Sequence, residues 1–272
     1  MEVGRCVPAT ICYSDSAVGN SRSGQSDKPM DKQKLVAPGL VSTSFLALIA
    51  LGAHSLPAAT AIGPIRRSFF TKLSGVSGSK NIALTFDDGP DPKSTPLFLD
   101  LLDELGIKAT FFMLGSMAEK SPGLVVEVRD RGHEIALHGY HHNNLLFRTP
   151  KFTREDINKG YDILAEITDQ APHFYRPPYG VLNSQAIVTS QKLGLTTVLW
   201  TSWGRDWRKK ATPSSVVDDL NKHLKSGATL LLHDSDCTSA KEAYRSALGA
   251  LKPLAELVKV QNLQFERMCD HF

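Results

Sequence analysis

The chain has 272 residues, of which 42% are hydrophobic and 22% charged, and this composition is typical of a folded globular protein. Its formal net charge of +3 is small and it has no basic run with interleaved aromatic residues, so nucleic-acid binding is not indicated. The length allows one sizeable α/β domain with an N-terminal extension, or two small domains.

The N-terminal region changes character at Met30. Residues 1–29 are rich in Ser, Gly and Asp and show little apolar pattern, so we expect no fixed structure there. After Met30, Lys32 and Lys34 precede an uncharged, largely apolar run at 35–53. If Met30 is the true start of translation, residues 1–29 are an extension assigned in error and do not belong to the protein.

The segment 30–61 has the features of a secretory signal. It has a basic start, an apolar centre and an Ala-x-Ala sequence at 59–61, which predicts cleavage after Ala61. A membrane anchor through residues 35–54 is the rival interpretation, because the uncharged run is almost long enough to span a bilayer. A third is an amphipathic helix that caps the domain. We favour an exported or anchored protein over a cytoplasmic one, and we expect a linker at 62–79.

From Asn81 onward, short apolar runs alternate with segments of helical spacing. The apolar runs predict seven strands, the last of them weak, at 82–86, 109–114, 134–138, 173–176, 196–200, 229–232 and 264–265. The intervening segments predict helices that begin near Ser94, Ser121, Thr153, Leu182, Thr212 and Ala243.

Strands made of unbroken apolar runs are typical of a parallel sheet that is covered on both faces. Such a sheet forms an open doubly wound fold or a closed barrel, and both place ligand sites at the carboxyl ends of the strands. Polar side chains occur at these ends here: Asp87, Asp88, His138, Arg176, Asp206 and His233. This placement is the strongest indication of function that the patterning supplies.

Two adjacent carboxylates, Asp87 and Asp88, follow the first strand and precede Gly89-Pro90. Like charges repel when both are ionised, and neighbouring strand residues point to opposite faces, so the two should meet different partners. One could bind a metal while the other acts as a base. Taken alone, Asp-Gly-Pro is also ordinary turn chemistry.

Three histidines, His138, His141 and His142, follow the third strand. Imidazoles at positions i and i+4 share one face of a helical turn and can bind a common metal, but His141 at i+3 competes with His142, and Gly139 weakens a helix here. Neutral imidazoles with a carboxylate form a common zinc set that leaves positions open for water and substrate. Solvated loop histidines are the alternative.

Arg176 ends the fourth strand, where two prolines make the chain rigid. A two-point contact of its guanidinium with Asp87 would keep that carboxylate ionised at neutral pH. A salt bridge that only holds two loops together is the alternative.

His233 ends the sixth strand, and Asp206 lies in the loop that follows the fifth. A carboxylate that orients an imidazole is the usual partner of an acid–base histidine. The alternative for His233 is a core histidine whose hydrogen bonds are satisfied.

The four cysteines are widely scattered, and none belongs to a Cys-x-x-Cys pair. A disulfide framework and a four-cysteine zinc site are therefore not indicated. Cys237 lies four residues after His233, so a redox or metal role is weighed against a small buried or loop thiol, which we favour.

Together, these motifs resemble the polysaccharide deacetylase family, also called the NodB-homology domain or carbohydrate esterase family 4. The resemblance covers residues 80–267. One such motif would be weak evidence, but five in the same order and spacing are specific. They are Thr85–Pro90, His138–His142, Arg176–Gly180, Asp206-Trp207 and Leu231–His233.

The resemblance implies an α/β fold, a distorted (β/α) barrel of about seven parallel strands. It also implies hydrolysis of N-acetyl groups on a glycan such as peptidoglycan or a chitin-like polymer. The family uses a divalent metal, usually zinc, with cobalt, nickel or manganese as alternatives. We expect a glycan partner and a monomer.

The resemblance also implies a role for each matching residue. Asp87 would be the base that deprotonates the attacking water, and Arg176 would pair with it. His233 would be the acid that protonates the leaving amine, tuned by Asp206. The metal ligands would be Asp88, His138 and His142. The backbone N–H of Tyr179 would contact the oxyanion. Trp207 and Leu231 would form the walls of the pocket for the acetyl group.

Two positions depart from the family pattern. Gly139 stands where Ser or Thr is usual, and Trp203 stands where an Asp is common. Neither removes a ligand or a catalytic group, but both could alter loop shape and substrate choice. An O-acetyl esterase, or a deacetylase of a small acetylated amine or glycolipid, is therefore the alternative. A non-catalytic carbohydrate-binding protein would be expected to lose Asp87 or His233, and both are retained.

Overall fold

The computed structural model describes residues 38–272, and for 38–43 it describes the backbone alone. The sequence-based expectations for residues 1–37, including the start of the predicted signal, lie outside this part of the chain. From Thr43 to Phe272 the chain forms one compact unit.

Within residues 38–272, β-strands alternate with α-helices in the order that the sequence predicts. The strands are β1 (Ile82–Asp87), β2 (Thr110–Met113), β3 (Glu134–Leu137), β4 (Phe174–Tyr175), β5 (Thr196–Thr197), β6 (Ser202–Trp203), β7 (Thr229–His233) and β8 (Phe265–Glu266). The helices are α1 (Pro38–Ser55), α2 (Gly63–Phe69), α3 (Thr95–Leu105), α4 (Gly115–Ala118), α5 (Pro122–Asp130), α6 (Pro150–Thr168), α7 (Ser184–Lys192), α8 (Pro213–Asn221), α9 (Tyr244–Val260) and α10 (Met268–His271).

Local sequence explains where the main helices begin. A proline lies in the first turn of α3, α5, α6 and α8, where its missing N–H breaks no helical hydrogen bond. Helix α6 begins at Pro150 rather than at the predicted Thr153, because the Thr149 side chain caps it by accepting a hydrogen bond from the backbone N–H of Phe152.

Seven strands form one curled sheet in the order β5-β4-β3-β2-β1-β7-β6, and β8 pairs with the start of β1. Every strand pair is parallel. The predicted distorted (β/α) barrel is confirmed. Strand β1 is buried along its whole length at the centre of this sheet, where Phe86 stacks on Phe111 with ring centroids 5.0 Å apart.

Two short strands differ from the prediction. The fifth strand was expected at 196–200, but only Thr196–Thr197 pairs with β4. The next carbonyl groups, of Val198 and Leu199, accept hydrogen bonds from Arg176 instead. The chain then rejoins the sheet as β6, which was not predicted because two residues carry no strand periodicity.

The segment 62–79, expected to be a linker, contains helix α2 and packs against the sheet. Leu73 accepts a hydrogen bond from the backbone of Leu199, and Gly75 accepts one from the Thr229 hydroxyl. Arg66 is 3% exposed and donates to the carbonyl of Trp200. This segment therefore lies along the stretch of chain that joins β5 to β6.

The window Ser44–Ala61 has a mean hydropathy of 1.4, and 11% of it is buried. Phe45, Leu48 and Leu51 on helix α1 are each more than 60% exposed. Length and composition alone would let this segment cross a membrane, and a signal sequence has the same properties.

Candidate active site

The site forms where the central strands of the sheet end. Strand register places Asp87 at the end of β1 directly beside His233 at the end of β7. Asp87 and Asp88 are 2% and 0% exposed, and Asp88 has a φ of +78°, a left-handed backbone conformation that is uncommon outside glycine. The two carboxylates meet different partners, since Asp87 contacts Arg176 whereas Asp88 faces two histidines.

Asp88, His138 and His142 form a compact cluster whose ligand atoms all lie within 4.8 Å of one another. Asp88 Oδ1 is 3.4 Å from His138 Nε2 and 3.3 Å from His142 Nε2. His138 Nδ1 lies 2.7 Å from the carbonyl oxygen of Arg176, so Nδ1 carries the proton and Nε2 presents its lone pair to the cluster.

The electrostatics of the cluster suit a divalent cation. Burial alone would raise the pKa of Asp88, but the adjacent His138 imidazole and the nearby charge of His233 hold that pKa below its ordinary value. Asp88 Oδ1 is buried and has no hydrogen-bond partner in the described part of the chain. Two imidazole nitrogens and an unpartnered carboxylate oxygen fit a metal such as zinc.

The loop from His138 to His142 is not the helical turn that the i, i+4 spacing predicted. Gly139 has a φ of +95°, and a Cβ there would lie 3.0 Å from Asp156 Oδ2. The Asp156 carboxylate accepts hydrogen bonds from the backbone N–H groups of Tyr140 and His141. The loop is therefore shaped by a glycine and by a carboxylate on α6, which local periodicity does not reveal.

The two competing histidines separate clearly in the structure. His141 is turned away, with Nδ1 3.0 Å from Asp156 Oδ1 and 55% of its side chain exposed. His142 faces Asp88, and its ring packs edge-on against Tyr179 with centroids 4.4 Å apart. Burial lowers the pKa of His142 to about 4, so its imidazole is neutral at pH 7 and able to act as a ligand.

Arg176 is 0% exposed and holds Asp87 through one nitrogen, Nη1, at 2.6 Å from Oδ1. The expected two-point contact is therefore wrong. The guanidinium also donates to the Thr85 hydroxyl and to the carbonyls of Val198 and Leu199. Asp87 Oδ2 is left on the side of His138, 3.8 Å from Nε2.

His233 is fixed by Asp206, which is 1% exposed. Asp206 Oδ2 accepts the His233 backbone N–H at 2.8 Å, and Oδ1 lies 3.0 Å from ring Nδ1. Burial alone would lower the pKa of His233, but Asp206, with help from Asp88 and Asp87, raises it to about 10. The imidazole is therefore protonated at neutral pH, with Nε2 as the nitrogen free to donate a proton.

A cavity of about 160 Å³ joins these groups. Seven of the ten sequence-predicted residues line it, namely Asp87, His138, His142, Tyr179, Trp207, Leu231 and His233. Asp88, Arg176 and Asp206 do not line the cavity but contact residues that do. Tyr179 has a φ of +59°, and such left-handed residues cluster at functional sites.

Sequence reasoning missed Trp200 and Thr238, and it named Trp203 only as a departure from the family pattern. Trp200 and Trp203 line the cavity together with Trp207. The rings of Trp200 and Trp203 stack with centroids 5.8 Å apart. Trp203 thus places an aromatic surface where the family often has an Asp. The occurrence of three tryptophans within eight residues was the feature of the sequence that could have indicated an aromatic wall here. The Thr238 hydroxyl donates to Asp88 Oδ2 across 150 residues of chain, and nothing local could have indicated that contact.

A family model described as Polysaccharide deacetylase matches residues 74–198. A peptidoglycan-N-acetylglucosamine deacetylase of Bacillus cereus is 40% identical over 180 residues, which cover 65% of this chain and 84% of that protein. A chitooligosaccharide deacetylase of a Bradyrhizobium species is 32% identical over 200 residues, which cover 70% of this chain and 89% of that protein.

Among solved structures, this chain resembles a crystal structure of a peptidoglycan N-acetylglucosamine deacetylase in complex with 4-naphthalen-1-yl-N-oxidanyl-benzamide. The TM-score is 0.68 and the sequence identity is 30%, over 75% of this chain and 95% of the other. The likeness therefore extends over nearly the whole of that protein.

Proposed function

Because the chain belongs to the polysaccharide deacetylase family, we propose that it is a metal-dependent hydrolase that removes N-acetyl groups from an acetylated glycan, either peptidoglycan or a chitin-like polymer. The observation that carries the proposal is the composition of one small cavity. A buried carboxylate, a protonated histidine and a metal-type cluster all border it.

Asp88, His138 and His142 would hold the metal, with zinc favoured over cobalt, nickel or manganese because two neutral imidazoles and one carboxylate are a common zinc set. When bound, the metal polarises the acetyl carbonyl and lowers the pKa of water. The unpartnered Asp88 Oδ1 supports this assignment, because a buried carboxylate oxygen without a hydrogen bond is costly unless a cation neutralises it.

Asp87 would act as the general base. Its Oδ1 is held by Arg176, which leaves Oδ2 to accept a proton from the attacking water. A carbon–oxygen bond then forms at the acetyl carbonyl, and the backbone N–H of Tyr179 would stabilise the oxyanion that results. Arg176 does not touch the substrate in this scheme and serves to orient Asp87.

His233 would act as the general acid. An amine is a poor leaving group unless its nitrogen is protonated, so cleavage of the carbon–nitrogen bond requires a proton donor. His233 Nε2 supplies that proton while Asp206 stabilises the charged ring. The products are acetate and a glycan with a free amino group.

The small cavity suits an acetyl group. Trp207 and Leu231 form part of its wall, and Leu231 is 3% exposed, so the methyl group would rest against an apolar surface. We further propose that residues 80–267 form the catalytic domain of a monomer. Residues 30–61 would be a signal or an anchor for export to the cell wall, and the apolar exposed helix α1 supports this.

Acetate release by the full chain tests the proposal. We expect release from N-acetylglucosamine oligomers or from peptidoglycan that is lost with a chelator, restored by zinc, and reduced at least about a hundredfold in Asp87→Asn. Equal release by Asp87→Asn and the unaltered chain would contradict the role of Asp87. No release from any glycan, with zinc demonstrably bound, would contradict the proposed function itself.

A further inference from the structure

A second cavity, of about 310 Å³, lies next to the catalytic one. The two share Tyr179, Trp200 and Trp203 as lining residues, so they meet along these aromatic side chains. Basic side chains form much of the remaining wall of the second cavity, and no carboxylate from residues 38–272 lines it. Those basic residues are Arg66, Arg67, Arg205 and His223. We call this space the basic cavity.

Arg66 is the buried member of this group. It is 3% exposed, donates to the carbonyls of Thr60 and Trp200, and lies 5.1 Å from the centre of the Trp200 ring. Its Nε is buried and has no hydrogen-bond partner within residues 38–272. Burial, followed by the charges of Arg67 and Arg176, lowers the pKa of Arg66 to about 10, so the guanidinium remains charged at pH 7.

Arg205 and Arg67 are exposed. The Arg205 guanidinium lies 5.4 Å from the centre of the Trp203 ring, and Arg205 itself has a φ of +50°, a left-handed conformation that is costly for a side chain of this size. In the described part of the chain, neither these two arginines nor Arg66 forms an ion pair. Three cationic groups therefore border one cavity, and within residues 38–272 none of them has a carboxylate partner at ion-pair distance.

We propose that the basic cavity is a subsite for a carboxylate on the sugar adjacent to the one being deacetylated. The inference rests on the proposed function and narrows its substrate to an acidic glycan. Guanidinium groups pair well with carboxylates, and the faces of Trp203 and Tyr179 suit the apolar face of a sugar ring. The muramic acid residues of a peptide-free peptidoglycan strand carry such carboxylates, whereas chitin-like polymers carry none.

The position of the cavity favours a glycan over other anions. A polymer that enters the catalytic cavity must continue past its rim, and the three shared aromatic residues form the rim on the side of the basic cavity. An anionic membrane surface could also attract exposed arginines, but binding to a membrane would not require the catalytic cavity beside them. An effect of the arginines on turnover of an acidic glycan therefore distinguishes glycan binding from membrane binding.

The experiment compares kcat/KM on three substrates for the full chain and for the Arg67→Gln, Arg205→Gln double variant. The substrates are a peptide-free oligosaccharide of alternating N-acetylglucosamine and N-acetylmuramic acid, the same oligosaccharide with its carboxyl groups amidated, and chitotetraose. We expect the ratio of kcat/KM on the acidic oligosaccharide to that on chitotetraose to fall about tenfold in the double variant, and the amidated substrate to follow chitotetraose. The matched control is Arg154→Gln, an exposed arginine on α6 that does not line the basic cavity.

Several outcomes overturn the proposal. An unchanged ratio on the peptide-free oligosaccharide would show that Arg67 and Arg205 do not bind the muramic carboxylate, and it would overturn the proposal. Loss of binding to phosphatidylglycerol vesicles in the double variant, with the ratio unchanged, would assign the arginines to a membrane. Dissociation constants for the acidic and amidated oligosaccharides provide a test that does not need turnover. Tighter binding of the acidic form supports the subsite even if no acetate is released, whereas equal binding overturns it.

Discussion

Both carboxylate oxygens of Asp206 contact His233, one at the backbone N–H and the other at ring Nδ1, at 2.8 and 3.0 Å. An ionised carboxylate only accepts hydrogen bonds, so this geometry fixes the proton on Nδ1 and turns Nε2 toward the cavity. It also stabilises the charged ring, which is why the pKa of His233 rises to about 10. One buried residue therefore sets both the orientation and the charge of the proposed acid.

Asp206→Asn should move the alkaline limb of the pH–activity profile to lower pH. The acid works only when His233 is protonated, and removing the negative charge lowers the pKa at which the ring loses its proton. We expect kcat, plotted against pH, to fall earlier on the alkaline side. Asp219→Asn, which changes a carboxylate bound to Arg208 and Lys222, is the control and should leave the limb in place. An unshifted limb in Asp206→Asn would contradict the role of Asp206.

His233→Ala should reduce amide cleavage by about a hundredfold or more and ester cleavage far less. The amine nitrogen must be protonated before it can leave, whereas an activated alcohol leaves without that help. The measurement compares kcat/KM on chitotetraose and on 4-nitrophenyl acetate for the same preparation. Equal losses on both substrates would show that His233 is not the acid.

His142→Ala should abolish tight metal binding, whereas His141→Ala should keep it. The two residues are neighbours in sequence, but His142 faces Asp88 and His141 binds Asp156. After dialysis against zinc, we expect about one zinc per chain in His141→Ala and a loss of zinc affinity of more than about a hundredfold in His142→Ala. Atomic absorption measures the zinc content of each variant, and repeating the dialysis at several free zinc concentrations gives the affinity. Loss of zinc in the His141 variant instead would reassign the ligand.

Arg176→Leu should lower the free energy of unfolding by about 3–5 kcal/mol, because it leaves the buried Asp87 carboxylate without its partner. The carbonyl groups of Val198 and Leu199 also lose their donors. Urea unfolding measures the change. Arg245→Leu is the comparison, since it breaks an exposed ion pair with Glu242 that should be worth less than about 1 kcal/mol. Similar losses in both variants would mean that burial of the Asp87 pair is unimportant for stability.

The sequence alone was sufficient to predict the fold class and the placement of the candidate site residues at the ends of the strands. Apolar runs such as the one that ends at Phe86 gave the strands, and polar residues such as Asp87, Arg176 and His233 stood where those strands end. Five motifs in order then indicated the family, which the comparisons confirm. The roles of the individual site residues stay predictions.

Only the tertiary structure decided which residues face one another. It turned His141 toward Asp156, brought Thr238 to Asp88, placed Trp203 at the cavity, and set Arg66 against Trp200. Each of these contacts depends on how distant segments lie beside one another in the folded chain. Periodicity reports which face of its own strand or helix a residue occupies, because that is a local property of the backbone. It carries no information about the partner that the rest of the fold brings to that face.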